Sequence, residues 1–316
     1  MTDRFVCSAA SCERDEAVTA TASQVKAWLM IEVHGAWGIN AVEESALGPH
    51  IPAGWRKDLS RRGIRAICIR PAIRVPEPEN VRVFFVVAAR PGRTDGHIWT
   101  RTLPLATVQY VSDELDVYAT PWNAPGEGWE QHDDPVVLVC TNGRHDQCCA
   151  NEGRPVVRHL ATTRFAGAVW ECSHIGGDRF AANLAIMPDS LYFGRMEPRE
   201  AETIVADYSD GRINLAHYRG RSTLSYIEQA AEQALREHLG VDAVNEIRIE
   251  RIVSSNTVVA RVGETKVYEI VMRRETLMSV EPLTCRGTPN QRVDRFTATE
   301  IRPSGDWGEP AHQRTS

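Results

Sequence analysis

The cysteines of this chain stand at 7, 12, 68, 140, 148, 149, 172 and 285, and three of the eight fall in "CTNGRHDQCCANEGRP", which runs from Cys140 to Pro155. Three chemistries could use them. Cys148 to Arg154 has the C-x5-R spacing of a phosphate-cradling nucleophile loop. Glu152 inside that loop would repel a phosphate dianion, and Pro155 stands where a hydroxyl residue normally follows the arginine. A dithiol redox couple uses Cys-x-x-Cys, so that one thiolate attacks and the other resolves. The chain has no such motif, and a disulfide between adjacent Cys148 and Cys149 would close a strained ring. A metal site asks only that soft donors converge. Thiolate with imidazole suits zinc, copper or iron–sulfur, and further donors follow in "ECSHIGGDRF" (171–180). There Cys172 and His174 lie two apart at a strand end, so both face one way. Gly176 and Gly177 let the backbone turn closely around a bulky centre. Cys140, Cys149, Cys172 and His174 are therefore the candidate ligands.

The other donors have plainer readings. A lone cysteine is usually a small buried apolar residue, so Cys68 and Cys285 read as core or surface thiols. Cys7 and Cys12 read as a free pair in a polar tail, Cys148 as a neighbour of a ligand, and His145 and His159 as solvent-facing.

Elements must bring the two donor clusters together. "AWLMIEVHG" (27–35), "IRAICIR" (64–70) and "VRVFFVVAA" (81–89) are apolar and β-branched enough for buried strands, with "HIWTRTLPL" (97–105) as hairpin partner to the last. Polar stretches at 40–48 and 55–63 read as helical, and 120–135 reads as a linker rich in Pro and Gly. A second α/β unit opens with "VVLVC" (136–140). It passes through the cysteine loop into a helix from about Pro155 to Thr163, then reaches "AVWECS" (168–173), a hairpin over 183–195 and a helix over 197–212 closed by Gly211. The last part pairs an amphipathic helix, 222–240, with three alternating strands and a loose "RTS" end.

Composition sets the class. The 316 residues are 42% hydrophobic and 25% charged, as in globular proteins. A formal charge of −6 argues against nucleic acid or an anionic membrane as main partner. No apolar stretch approaches the roughly 20 residues that span a bilayer, and the opening lacks a signal-peptide pattern. A cytoplasmic location with reduced thiols is expected. No repeat occurs at solenoid or propeller spacing.

The long motifs "CTNGRHDQCCANEGRPV" and "WECSHIGGDRFAANLAIMPDSLYFGR" resemble the sucrase/ferredoxin-like family of thioredoxin-fold [2Fe–2S] proteins. Upstream, "CSAASC" and "TASQVKAWLMIEVHGAWG" resemble that family's N-terminal half, so the likeness covers about residues 7–200. The resemblance implies an α/β protein: an N-terminal half over 1–125, a thioredoxin-like cluster domain over 126–219 and an α+β accessory module over 220–316. It implies a one-electron carrier that passes electrons between redox partner proteins rather than an enzyme with its own substrate. The sucrase label finds no paired carboxylates here. In relatives the cluster is held by Cys-x8-Cys and His-x3-His. Cys140 and Cys149 match the first pair and His174 the first histidine, while Asp178 stands where the second is expected. Either Asp178 ligates through oxygen or Cys172 completes the set, and the preference of iron for thiolate favours Cys172. Gly176, Gly177 and Arg179 would donate hydrogen bonds around the cluster. The alternative is a zinc- or thiol-based structural or redox module on the same fold.

Overall fold

A computed structural model describes residues 5–304 except 74, 77, 91, 93, 94 and 118–123. The C-terminal "RTS" and part of the expected linker lie outside the described residues. The apolar runs become strands: β1 (Ala27–Glu32), β2 (Ile64–Pro71), β3 (Asn80–Val87), β4 (His97–Pro104), β5 (Glu130–Gln131), β6 (Val136–Cys140), β7 (Val169–Cys172), β8 (Asn183–Met187), β9 (Leu191–Gly194) and β10 (Tyr218–Arg221). They form one ten-stranded mixed sheet in the order β10-β9-β8-β6-β7-β2-β1-β3-β4-β5. The helices are α1 (Cys7–Glu13), α2 (Trp55–Arg61), α3 (Val108–Val111), α4 (Gln147–Leu160), α5 (Pro198–Ser209) and α6 (Tyr226–Leu239). Strands β1–β2 and β6–β7 are parallel, with α2 and α4 in their crossovers. The expected hairpins are the antiparallel pairs β3–β4 and β8–β9.

Strand alternation divides the core by face. Val137 and Val139 of β6 join Val156, Val157 and Leu160 of α4 and Ile204 of α5. Val136, Leu138 and Cys140 face the other way, into a cluster with Trp28, Phe84, Trp170 and Tyr192. Trp28 of β1 meets Tyr192 of β9 at 6.4 Å between ring centroids, although four strands lie between them in the sheet order. The sheet therefore curls around this cluster. A third cluster packs α2, Trp37 and Leu47 on the outer face of β1 and β2.

Three local expectations change. The stretch 40–48 is a run of turns, not a helix. The Glu44 carboxylate accepts from the Ile39 amide and the Asn40 side chain, folding the segment on itself, and Val42 and Leu47 enter the core. Helix α4 begins at Gln147 rather than near Pro155, because the Asp146 carboxylate caps it by accepting from Cys148 N–H at 2.9 Å. Pro155 sits within the helix. At the N terminus, Cys7 and Cys12 are free as expected but lie on helix α1 rather than in a tail, Cys7 buried and Cys12 exposed.

Beyond β10 the chain builds a separate four-stranded antiparallel sheet, β11 (Ile247–Ser254), β12 (Thr257–Val262), β13 (Lys266–Met278) and β14 (Arg292–Ser304). Helix α6, closed by a Ser225–Glu228 capping box and by Gly240, covers it. Strand β14 was not expected, since "RVDRFTATEIRPS" is half-buried at most and lacks a clean alternation. Among the described residues no helix is long and apolar enough to cross a membrane.

Candidate metal centre

Cys140 is the last residue of β6 and pairs in register with Cys172, the last of β7. Both project from the same side of the sheet into the curled apolar cluster. The connection after Cys140 is short, and α4 starts directly over the strand end. Gly153 makes that possible: a methyl there would run into the carbonyl oxygen of Cys140. This close approach brings Cys149, in the first turn of α4, round the strand end and into the same cluster.

The chain leaving β7 supplies the imidazole. His174 lies in a loop whose carbonyls from His174 to Gly177 are each tied down. Arg65 donates to the carbonyls of His174 at 2.8 Å and Ile175 at 3.4 Å, and the Ser23 hydroxyl donates to Ile175 at 2.9 Å. Fully buried Arg219 donates to Gly176, and the Asn183 amide to Gly177. At Gly177, φ is +84° and a side chain would strike the Arg219 guanidinium, so only glycine fits.

The ligand atoms of Cys140, Cys149 and His174 lie within 4.8 Å of one another. Those of His145, His174 and Asp178 form an overlapping group at the same limit. Asp178 joins the two: Oδ1 is 3.1 Å from Cys149 Sγ and 2.9 Å from His174 Nδ1. That second approach is close but misaligned, leaving His174 Nδ1 a buried nitrogen without a hydrogen bond. His145 stacks on His174 with centroids 3.8 Å apart. Cys172 is fully buried beside its register partner Cys140, but it does not belong to the mutual group.

Electrostatics single out one thiol. Hydrogen bonds from Cys149 and Cys172 hold Cys140 well below the usual thiol range, against the opposing effect of burial, with His174 adding to the shift. Cys149 is raised by Cys140 beside it and by burial. Burial alone would lower His174, but Asp178 and Cys140 outweigh it and raise the imidazole to about 9.

Other expected residues fall differently. Arg179 is engaged in an ion pair with Glu16 at 2.6 Å. Gly176 has φ +98° and packs on Ser23. His145, read as solvent-facing, belongs to the site, and His145 and His174 line a cleft of about 770 Å³ with Lys26, Arg56, Arg62 and Arg65. The residues that fix the loop, Ser23, Arg65, Asn183 and Arg219, were not legible as site residues. Arg219 alone carries a signal, a charged residue inside the short buried strand "YRGR".

A family model described as sucrase/ferredoxin-like matches residues 18–220. Among curated proteins, the chain is similar to Altered inheritance of mitochondria protein 32 of Candida glabrata, 28% identical over 109 residues. That match covers 30% of this chain and 35% of the relative, so the chain spans about a third of that protein's length. No solved structure matches.

Proposed function

Given that the chain belongs to the sucrase/ferredoxin-like family, we propose that it carries a [2Fe–2S] cluster with mixed cysteine and histidine ligation and serves as a one-electron carrier. The observation that carries this reading is the convergence of two buried thiols and an imidazole from three separate elements. The donor set fits a thiolate-preferring metal group, and the orphaned Nδ1 of His174 fits a ligand atom awaiting a partner. Such a cluster, when bound, supplies one-electron redox chemistry.

Cys140, Cys149 and His174 are three of the proposed ligands. For the fourth, softness favours Cys172, whereas position favours Asp178, whose carboxylate already touches Cys149 and His174. We take Asp178 as the fourth ligand on that contact. A neutral imidazole in place of a thiolate leaves the centre less negative and raises its reduction potential over that of an all-cysteine site. The bonds from Arg65, Ser23, Arg219 and Asn183 hold the His174 loop in one conformation, so little reorganisation accompanies a change of charge. The apolar cluster excludes water from the thiols, while His174 keeps 27% of its side chain exposed as the edge nearest a redox partner. The cleft at that edge is lined by Lys26, Arg56, Arg62 and Arg65, which suits a partner with an acidic docking face.

A zinc site is the competing reading, because three ligand atoms within 4.8 Å also suit a single tetrahedral ion. Anaerobic purification separates the two. Red-brown protein with about two irons per chain supports the carrier. Colourless protein with the Cys140 site filled by zinc overturns it.

A further inference from the structure

Outside this site, three more thiols converge. Cys7 of α1, Cys148 of α4 and Cys285 of the β13–β14 connection meet with Sγ–Sγ separations of 3.6 Å (Cys7–Cys148), 3.4 Å (Cys148–Cys285) and 3.5 Å (Cys7–Cys285). They come from points 141, 137 and 278 residues apart in the chain. A zinc–sulfur bond of about 2.3 Å gives a tetrahedron edge of roughly 3.8 Å, so the triangle is nearly the face that a tetrahedral ion requires. A disulfide, at about 2.05 Å, would use two sulfurs and leave the third buried and odd.

The fourth corner is Asp146, 1% exposed, with both carboxylate oxygens 3.7 Å from Cys7 Sγ. Its oxygens accept from the Cys148 and Cys285 amides at 2.9 and 2.8 Å, which fixes the carboxylate while each oxygen keeps a free lone pair. Among the described residues the partners of the Asp146 carboxylate are these two amides and the Cys7 thiol, with no Lys, Arg or His in an ion pair with it. A buried carboxylate without a cation is costly, and a bound metal ion would meet that need. Cys7 and Cys285 both lie outside the residues matched by the family model, 18–220.

We propose that Cys7, Asp146, Cys148 and Cys285 form a second metal site for one zinc-class divalent ion, fastening α1 and the β13–β14 connection to the first turn of α4. Binding releases to solvent the protons that the thiols still carry and changes no oxidation state.

Metal content of the full chain, purified anaerobically without chelator, tests this independently of iron. One zinc per chain is expected in wild type, in Cys12→Ser and in Cys140→Ser, and none in Cys7→Ser or Cys285→Ser, whose iron content stays at the wild-type level. Alkylation of the wild-type protein covers the case in which a variant fails to fold. Half-exposed Cys285 should be protected from iodoacetamide until a zinc chelator is added, whereas exposed Cys12 reacts at once. Wild type without zinc, zinc retained by Cys7→Ser, an intact mass showing a disulfide among these thiols, or Cys285 labelling equally fast with and without chelator would each overturn the proposal.

Discussion

The two halves of the large sheet share one connectivity but not one chemistry. Read outward from the antiparallel β7–β2 pair, one half runs β7-β6-β8-β9 and the other β2-β1-β3-β4. Each is a parallel strand–crossover–strand unit followed by an antiparallel hairpin. Among the described residues, the half built on β6–β9, second in chain order, is the one that gathers ligands. After β6 the chain turns at once into α4, capped by Asp146 and pressed on the strand end through Gly153. After β1 the chain makes a long excursion before α2, and Trp37, Val42 and Leu47 fill the space with apolar side chains. The Cys68 thiol of β2 is consequently buried, hydrogen-bonded to Ser45 and the Ala41 carbonyl. A site arises where the crossover is short enough to set a helix's first turn against a strand end.

The sharpest way to break this comparison is to remove a thiol from each half. Cys140→Ala and Cys149→Ala should each abolish iron binding. Cys68→Ala should keep all of it and lose about 1 kcal/mol of stability through a small cavity. Equal iron loss in Cys68→Ala would erase the distinction, and iron per chain with a thermal melt reads both.

The halves also differ at their outer edges. The first ends in the two-residue β5, whereas the second is extended by β10 and covered by α6, where Glu232 pairs with Arg221 and Arg236 in full burial. Glu232→Gln leaves two buried guanidinium groups short of their counter-charge and should cost about 3 kcal/mol. Burial would raise the Glu232 carboxyl, but Arg221 and Arg236 outweigh it and hold it below the usual range. A carboxyl depressed in the folded state adds stability above its unfolded value of about 4.3, and that stability fades as pH falls through the folded value. Melts between pH 3 and 7 should show an acid limb that is flatter in Glu232→Gln, and an unchanged limb would remove this buttress from the account.

A smaller effect compares two glycines. Gly153→Ala meets the Cys140 carbonyl and should cost about 2 kcal/mol together with part of the iron. Gly63→Ala faces open space and pays only for its φ of +78°, about 1 kcal/mol, with iron unchanged. If Gly153→Ala retains full iron, close packing of α4 on β6 is not what presents Cys149.

The difference between the halves also explains what the sequence could reveal. Strands buried on both faces leave continuous apolar runs, so β1, β2, β3 and β6 were legible. Cys140, Cys149 and His174 were legible by residue type and by spacing, because a short crossover keeps them close along the chain. Helix α4 was read as starting near Pro155, and that hid the meaning of two adjacent cysteines. On a helix, neighbours point about 100° apart, so Cys149 enters the apolar cluster while Cys148 turns to Cys7 and Cys285. Contacts across 141 and 137 residues leave no periodic trace. His145 was missed for a related reason: its role comes from stacking on His174, which only the folded loops create.

Pulsed electron paramagnetic resonance of the anaerobically reduced protein tests the central claim most directly. The account predicts the half-integer-spin signal of a reduced [2Fe–2S] centre with hyperfine coupling to an imidazole nitrogen, the coupling disappearing in His174→Cys. A reduced protein that is silent and free of iron, or a signal with no nitrogen coupling, would contradict it.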